Sequence, residues 1–138
     1  MSDLYRFGVS LEKELIDEFD RNITSKNYKN RSEAIRDLIR ADIVKKQWLC
    51  DNEVAGAVTM SYDHHKRELV NKLMDIQHDF QALVISNLHI HIDHHNCLEI
   101  IAVKGKARDV EKLASMLKAQ VGVKHVAVNM STTGKELR

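Results

Sequence analysis

Tyr5-Arg6-Phe7-Gly8-Val9-Ser10 alternates apolar residues with polar or small ones without a break. A β-strand sends successive side chains to opposite faces, so the pattern predicts a short strand with Tyr5, Phe7 and Val9 on one face. The period then changes. Leu11, Leu15, Phe19 and Ile23 recur at every fourth position with acidic residues in the first turns, which predicts a helix. After a loop through Asn27, Asn30 and Glu33 have the spacing of a capping box, and Ile35, Leu38, Ile39 and Ile43 form the apolar stripe of a second helix. A strand-helix-helix unit of this size buries too little surface to be stable alone, and its lone strand has no internal partner for its hydrogen-bond ladder. Two copies pairing their strands antiparallel would solve both problems, burying Tyr5, Phe7 and Val9 and turning Arg6, Gly8 and Ser10 outward. Such a ribbon fits the DNA major groove. The alternation alone leaves open that this is an edge strand of a larger sheet.

The 138-residue chain has 43% hydrophobic and 30% charged residues, the composition of a folded globular protein. Its formal charge of +1 identifies no partner, but the charge is unevenly placed. Residues 1–20 carry two basic and six acidic side chains, a net −4, whereas residues 21–46 carry eight basic and three acidic ones, a net +5. A basic element of that kind is either a phosphate-binding surface or a solvated helix face. No apolar run reaches the ~18 residues of a membrane span. Residues 1–10 lack a basic segment followed by an apolar one. The expectation is a cytoplasmic protein with no membrane partner. Two cysteines are too few for a disulfide framework, and eight histidines stand out.

The helical stripe ends around residues 47–52, which divides the chain into residues 1–47 and 53–138. In the second part, residues 54–62 read as a strand and residues 66–81 as a helix with Leu69, Leu73, Ile76 and Phe80 on one face. Residues 83–92 and 97–103 read as strands. Gly105 introduces a helix carrying Val110, Leu113 and Leu117, and Gly122 turns the chain into a strand over residues 123–130. The order βαββαβ predicts a ferredoxin-like domain, two helices on one face of a four-stranded antiparallel sheet, and an α+β fold overall. Residues 131–138 read as a loose tail.

In Leu88-His89-Ile90-His91-Ile92 the alternation puts both imidazoles on one strand face, with Cα atoms ~6.6 Å apart. If the turn at residues 93–95 sets His91 opposite Cys97, His89 falls opposite Glu99 on the same face. His78, beside Gln77 on the preceding helix, is a candidate fourth ligand from the same or another chain. Two imidazoles and a thiolate suit zinc, copper or nickel and exclude calcium or magnesium. The alternative is that His89 and His91 form a solvated strand face and Cys97 is a small buried apolar residue. His64, His65, His94, His95 and His125 read as surface side chains rather than ligands, and Cys50 as structural or surface.

These residues resemble the nickel-responsive regulators (NikR family), which join a ribbon-helix-helix DNA-binding domain to an ACT-like nickel-binding domain. The resemblance spans nearly the whole chain. It rests on Asn30-Arg31-Ser32-Glu33-Ala34-Ile35-Arg36-Asp37, on Gln77-His78, and on His89-Ile90-His91 with Cys97-Leu98-Glu99-Ile100. It implies a homotetramer, a dimer of dimers, binding one Ni2+ per subunit in a square plane. The implied ligands are His89, His91 and Cys97 of one subunit with His78 of a neighbour. It also implies base reading of a palindromic double-stranded operator by Arg6, Gly8 and Ser10, phosphate contacts by Asn30 and Arg31, and a second cation site at Glu33 and Asp37. Gly8 departs from the family, whose members usually carry a side chain there.

The implied function is a nickel-dependent transcriptional repressor of nickel-uptake genes, not an enzyme. Four protein ligands leave no open metal position, and beyond Glu99 no candidate acid or base is evident. A metalloenzyme or a cytoplasmic metal buffer using the same His/Cys site are the alternatives, and DNA binding separates them.

Overall fold

The computed structural model describes residues 3–137. Its elements are α1 (Lys13–Ser25), α2 (Arg31–Leu49), β1 (Glu53–Asp63), α3 (Arg67–Asp79), β2 (Val84–His91), β3 (Asn96–Lys106), α4 (Ala107–Lys118) and β4 (Val123–Met130). The chain forms two compact units, one built on the residues up to Ile43 and the other on Val44–Glu136.

In the first unit α1 ends because Asn27 takes a left-handed conformation (φ 63°), which lets the Tyr28 N–H reach back to the Ile23 carbonyl at 3.0 Å. Asn30 then starts α2, its Oδ1 accepting the Glu33 N–H at 2.9 Å, which is the forward half of the expected capping box. The expected strand over residues 5–10 is not formed within the chain: residues 3–12 have no regular structure. A strand exists only with a ladder partner, and the described residues of this unit supply no second strand. Tyr5 is 88% exposed and Phe7 65%. Among the described residues of this unit, Ile23 and Ala34 alone are buried, while Leu15, Leu38 and Ile39 of the helical stripes are exposed.

The second unit is a four-stranded antiparallel sheet in the order β2-β3-β1-β4. This is the ferredoxin-like arrangement. Alternation sends Val58, Met60 and Tyr62 of β1 and Cys97, Glu99, Ile101 and Val103 of β3 to one face, where all are buried. Leu69, Leu73 and Ile76 of α3 and Val110, Leu113 and Leu117 of α4 complete that core, each helix burying one face at the spacing the sequence shows. Trp48, in the last turn of α2, also lies in it. Gly122 (φ +99°) supplies the left-handed turn into β4.

The expectation of a loose tail after residue 130 is corrected. The Ser131 N–H donates to the Ala55 carbonyl at 3.1 Å, the Trp48 indole donates to the Ser131 carbonyl at 2.8 Å, and Thr132 Oγ1 bonds Gln47 Oε1 at 3.0 Å. Pairing beside β1 continues one residue past β4, and the Ser131 carbonyl gives the buried indole its acceptor. Among the described residues no helix is long and apolar enough to cross a membrane.

Candidate metal centre and nucleic-acid interface

The turn between β2 and β3 is built by Asp93. Its Oδ1 accepts the backbone N–H groups of His95 (2.9 Å) and Asn96 (2.8 Å), and the Asn96 amide donates to both carboxylate oxygens. The Asn96 side chain first, then the two backbone donors, hold the Asp93 carboxyl down to about 2. This turn sets the register that places His91 opposite Cys97 and His89 opposite Glu99.

Glu99 is 5% exposed. Its Oε1 accepts the Tyr62 hydroxyl at 2.7 Å and its Oε2 accepts the Gln77 amide at 2.7 Å, while Gln77 Oε1 accepts from Asn87 at 3.1 Å. Burial, then the bond to Glu99, pushes the Tyr62 phenol far up, so it stays a donor. The carboxylate thus held lies 3.7 Å from His89 Nδ1. It is the group that orients this imidazole. The residue pattern set Glu99 opposite His89; what it did not show is that Tyr62 of β1 and Gln77 of α3 hold the carboxylate in place beside that imidazole. His78, exposed at the end of α3, lines the same open cavity as Tyr62, Gln77, His89 and Glu99.

Cys97 is fully buried, with its thiol 3.4 Å from the Tyr62 carbonyl. Burial pushes the thiol up, and the hydrogen bonds with Tyr62 oppose that. The His89 and His91 rings are 5.3 Å apart. His64 is not the free surface side chain expected: its ring stacks on His91 at 4.4 Å and 13°, and its Nδ1 is buried without a hydrogen-bond partner. Two imidazoles, a thiol and the nearby His78 are donors whose chemistry fits Ni2+. Their donor atoms are not drawn to within 4.8 Å of one another; among the described residues the trio so gathered is Asp63, His65 and His95.

In the first unit Arg6, Gly8 and Ser10 lie on the exposed irregular segment, and a Cβ on Gly8 would meet nothing within 4 Å. Arg31 makes a bidentate pair with Asp20, Nε to Oδ1 at 2.9 Å and Nη2 to Oδ2 at 2.7 Å. That guanidinium holds the Asp20 carboxyl below its ordinary range. Glu33 pairs with Arg36, and Asp37 with Arg40 and the Tyr28 hydroxyl.

Comparison with known proteins agrees with both halves of the chain. Residues 55–131 match the model of the NikR C-terminal nickel-binding domain, and residues 5–46 match that of the copG-family ribbon-helix-helix proteins. A protein of Chlorobium limicola is 64% identical over 97% of this chain and 100% of its own length. One of Syntrophus aciditrophicus is 56% identical over 98% of each chain, and one of Pyrococcus abyssi 50% identical over 98% of this chain and 99% of its own. All three bear the name nickel-responsive regulator. An uncharacterized protein from Thermotoga maritima shares the fold of 56% of this chain and 95% of its own, at a TM-score of 0.51 and 12% identity. The chain therefore belongs to the nickel-responsive regulator family, joining a ribbon-helix-helix domain to that family's C-terminal domain.

Proposed function

We propose that this protein is a cytoplasmic, nickel-dependent transcriptional regulator that represses nickel-uptake genes when nickel is bound. The observation that carries the metal half is the β2–β3 register, which aligns His89, His91, Cys97 and Glu99 on one sheet face. His89, His91 and Cys97 would hold one Ni2+ per subunit, with His78 of a second subunit as the fourth donor. Bound there, the ion supplies a cross-link between strands and subunits. Glu99 fixes the His89 ring, and the β2–β3 turn fixes the spacing of His91 and Cys97.

The DNA half rests on the exposure of the first unit's apolar side chains. Tyr5, Phe7, Val9, Leu15, Leu38 and Ile39 are all exposed in one chain, too large a share for a stable small unit. A second copy pairing along residues 5–10 would bury them and form a ribbon. Residues 1–47 would dimerise and bind DNA, and residues 53–138 would bind metal and assemble two dimers into a tetramer. In that assembly Arg6, Gly8 and Ser10 face base edges of a palindromic operator. Asn30, Arg31 and the free amides at the start of α2 meet phosphate. A cation at Glu33 and Asp37 would have to displace Arg36 and Arg40.

Nickel can raise operator affinity only by binding one arrangement of the subunits better than another. A gel-shift titration on a palindromic operator, with and without Ni2+ across a salt series, tests the reading. Tight binding confined to the nickel-loaded protein is the expected result. Equal affinity with and without nickel rejects the regulator and leaves a metal buffer.

A further inference from the structure

The boundary between the two units falls between Ile43 and Val44, inside α2 rather than in a loop, so one continuous helix leads from the first unit into the second. We infer that residues 131–135 form a strap that locks the last turn of α2 to β1, making α2 the element through which nickel in the second unit alters DNA binding by the first. This rests on the regulator reading above.

Gln47 and Trp48 are the buried residues of that turn, whereas Lys45, Lys46 and Leu49 around them are exposed. Buried polar groups need partners, and the strap supplies them. The Trp48 indole donates to the Ser131 carbonyl at 2.8 Å, and its ring lies so near Gly56 of β1 that a Cβ there would be 3.3 Å away. Thr132 Oγ1 donates to Gln47 Oε1 at 3.0 Å and accepts the Gly134 N–H at 3.2 Å, so one hydroxyl closes the strap's turn and holds the helix. The Ser131 N–H ties the strap to β1 through the Ala55 carbonyl at 3.1 Å. None of residues 131–135 is buried. Hydrogen bonds rather than apolar burial hold the strap, so it can open without unfolding the sheet.

The connection from α2 to β1 is tied down as well. Asp51 takes a left-handed conformation (φ 55°), and the Asn52 N–H reaches back to the Gln47 carbonyl at 2.9 Å. The Asp51 carboxylate accepts the Arg108 N–H at 2.9 Å, and the Asn52 carbonyl accepts the Ala107 N–H at 3.1 Å. A rearrangement of the second unit therefore reaches α2 at Gln47 instead of dissipating in residues 50–52. β1 joins the ends of the route, since Ala55 bonds the strap and Tyr62 bonds Glu99 beside His89. Coupling between distant sites travels through such packed, hydrogen-bonded elements only while each stays anchored to the next.

The test compares the full-length protein with Thr132→Val, Thr132→Ser and a variant ending at Met130. Three quantities are read: hydrogen exchange along the chain, Ni2+ affinity of the DNA-free protein by chelator competition, and operator affinity with and without Ni2+. Thr132→Val deletes a hydrogen bond whose net strength corresponds to about fivefold in an opening equilibrium. Exchange of the Cys50 and Asn52 amides should quicken by that factor while β3 is unchanged. The gain in operator affinity on adding Ni2+ should shrink by a similar factor with Ni2+ affinity kept, and Thr132→Ser should restore both. The variant ending at Met130 should lose the gain; if that shortened chain fails to fold, Thr132→Val and Thr132→Ser decide. Because coupling is reciprocal, operator DNA should tighten Ni2+ binding in the unaltered protein by more than in Thr132→Val. Unchanged exchange or an unchanged nickel gain in Thr132→Val overturns the strap, and so does a gain lost together with Ni2+ affinity. No nickel gain in the unaltered protein rejects the regulator reading and the strap's role with it, an outcome distinct from failure of the strap alone, in which the unaltered protein and Thr132→Val keep the same gain.

Discussion

His91 and Cys97 are Cα partners across β2 and β3, yet they differ in exposure: His91 is exposed and Cys97 is fully buried. A metal joining them would bridge the solvent-facing edge strand and the core. Cys97→Ser replaces the one donor of the set that becomes anionic on binding metal. It should abolish the sulfur-to-nickel absorption and weaken Ni2+ binding by more than any single histidine change, while thermal unfolding of the metal-free protein shifts little. Titration calorimetry and ultraviolet spectroscopy read both effects.

Glu99→Ala should damage both fold and site. It leaves the Tyr62 hydroxyl and Gln77 amide unpaired in a buried position and frees the His89 ring. Unpaired buried donors cost about 1–3 kcal/mol each, and loss of a group orienting a metal-bound histidine costs ~10–100-fold in metal affinity. Urea unfolding of the metal-free protein and a nickel competition assay separate the two.

Asp20→Asn should strengthen DNA binding, because Arg31 is tied up in a bidentate pair that includes a negative charge close to the proposed phosphate contact. Freeing one cation should steepen the plot of log affinity against log salt by about 1. The same pair has an acid signature. Since the Asp20 carboxyl is lowered in the folded state, its stabilisation is fully present above the ordinary value of 3.8 and is lost as pH falls through the lowered one. Unfolding scans from pH 5 downward should show a steeper decline in the unaltered protein than in Asp20→Asn.

Gly8→Thr should fold as the unaltered protein does, because a side chain there meets nothing within 4 Å and the position does not need a positive φ. Its Tm should change little. Its base preference should change, gaining or losing about 1–3 kcal/mol of discrimination at one operator position, as binding to a panel of single-base operator variants would show.

Gly56→Ala tests the sheet. Its Cβ would lie 2.5 Å from the Asn129 carbonyl and 3.3 Å from the Trp48 ring, so the β1–β4 pairing must shift and the indole must give slightly. The expected cost is about 1–3 kcal/mol, read as a lower denaturation midpoint, with unchanged nickel stoichiometry.

The sequence by itself determined the element order, because hydrophobic period is a local property. Alternation over residues 88–92 and fourfold spacing along α1, α3 and α4 needed no partner to be read, whereas the alternation over residues 5–10 makes no strand within one chain. The first helices' stripes were legible too, although one chain leaves Leu15, Leu38 and Ile39 exposed. Residue chemistry likewise singled out His89, His91 and Cys97. Only the tertiary structure decided what stands next to them. Glu99, Gln77, Tyr62 and Asn87 form one network because β1, α3, β2 and β3 converge there. His64 stacks on His91, and His65 and His95 meet Asp63, because antiparallel pairing of β1 with β3 brings positions 63 and 96 together. The tail at Ser131 and Thr132 is held by Trp48 and Gln47, 83 and 85 residues earlier. Contacts of that span depend on strand register and helix packing, which periodicity within a short window cannot specify.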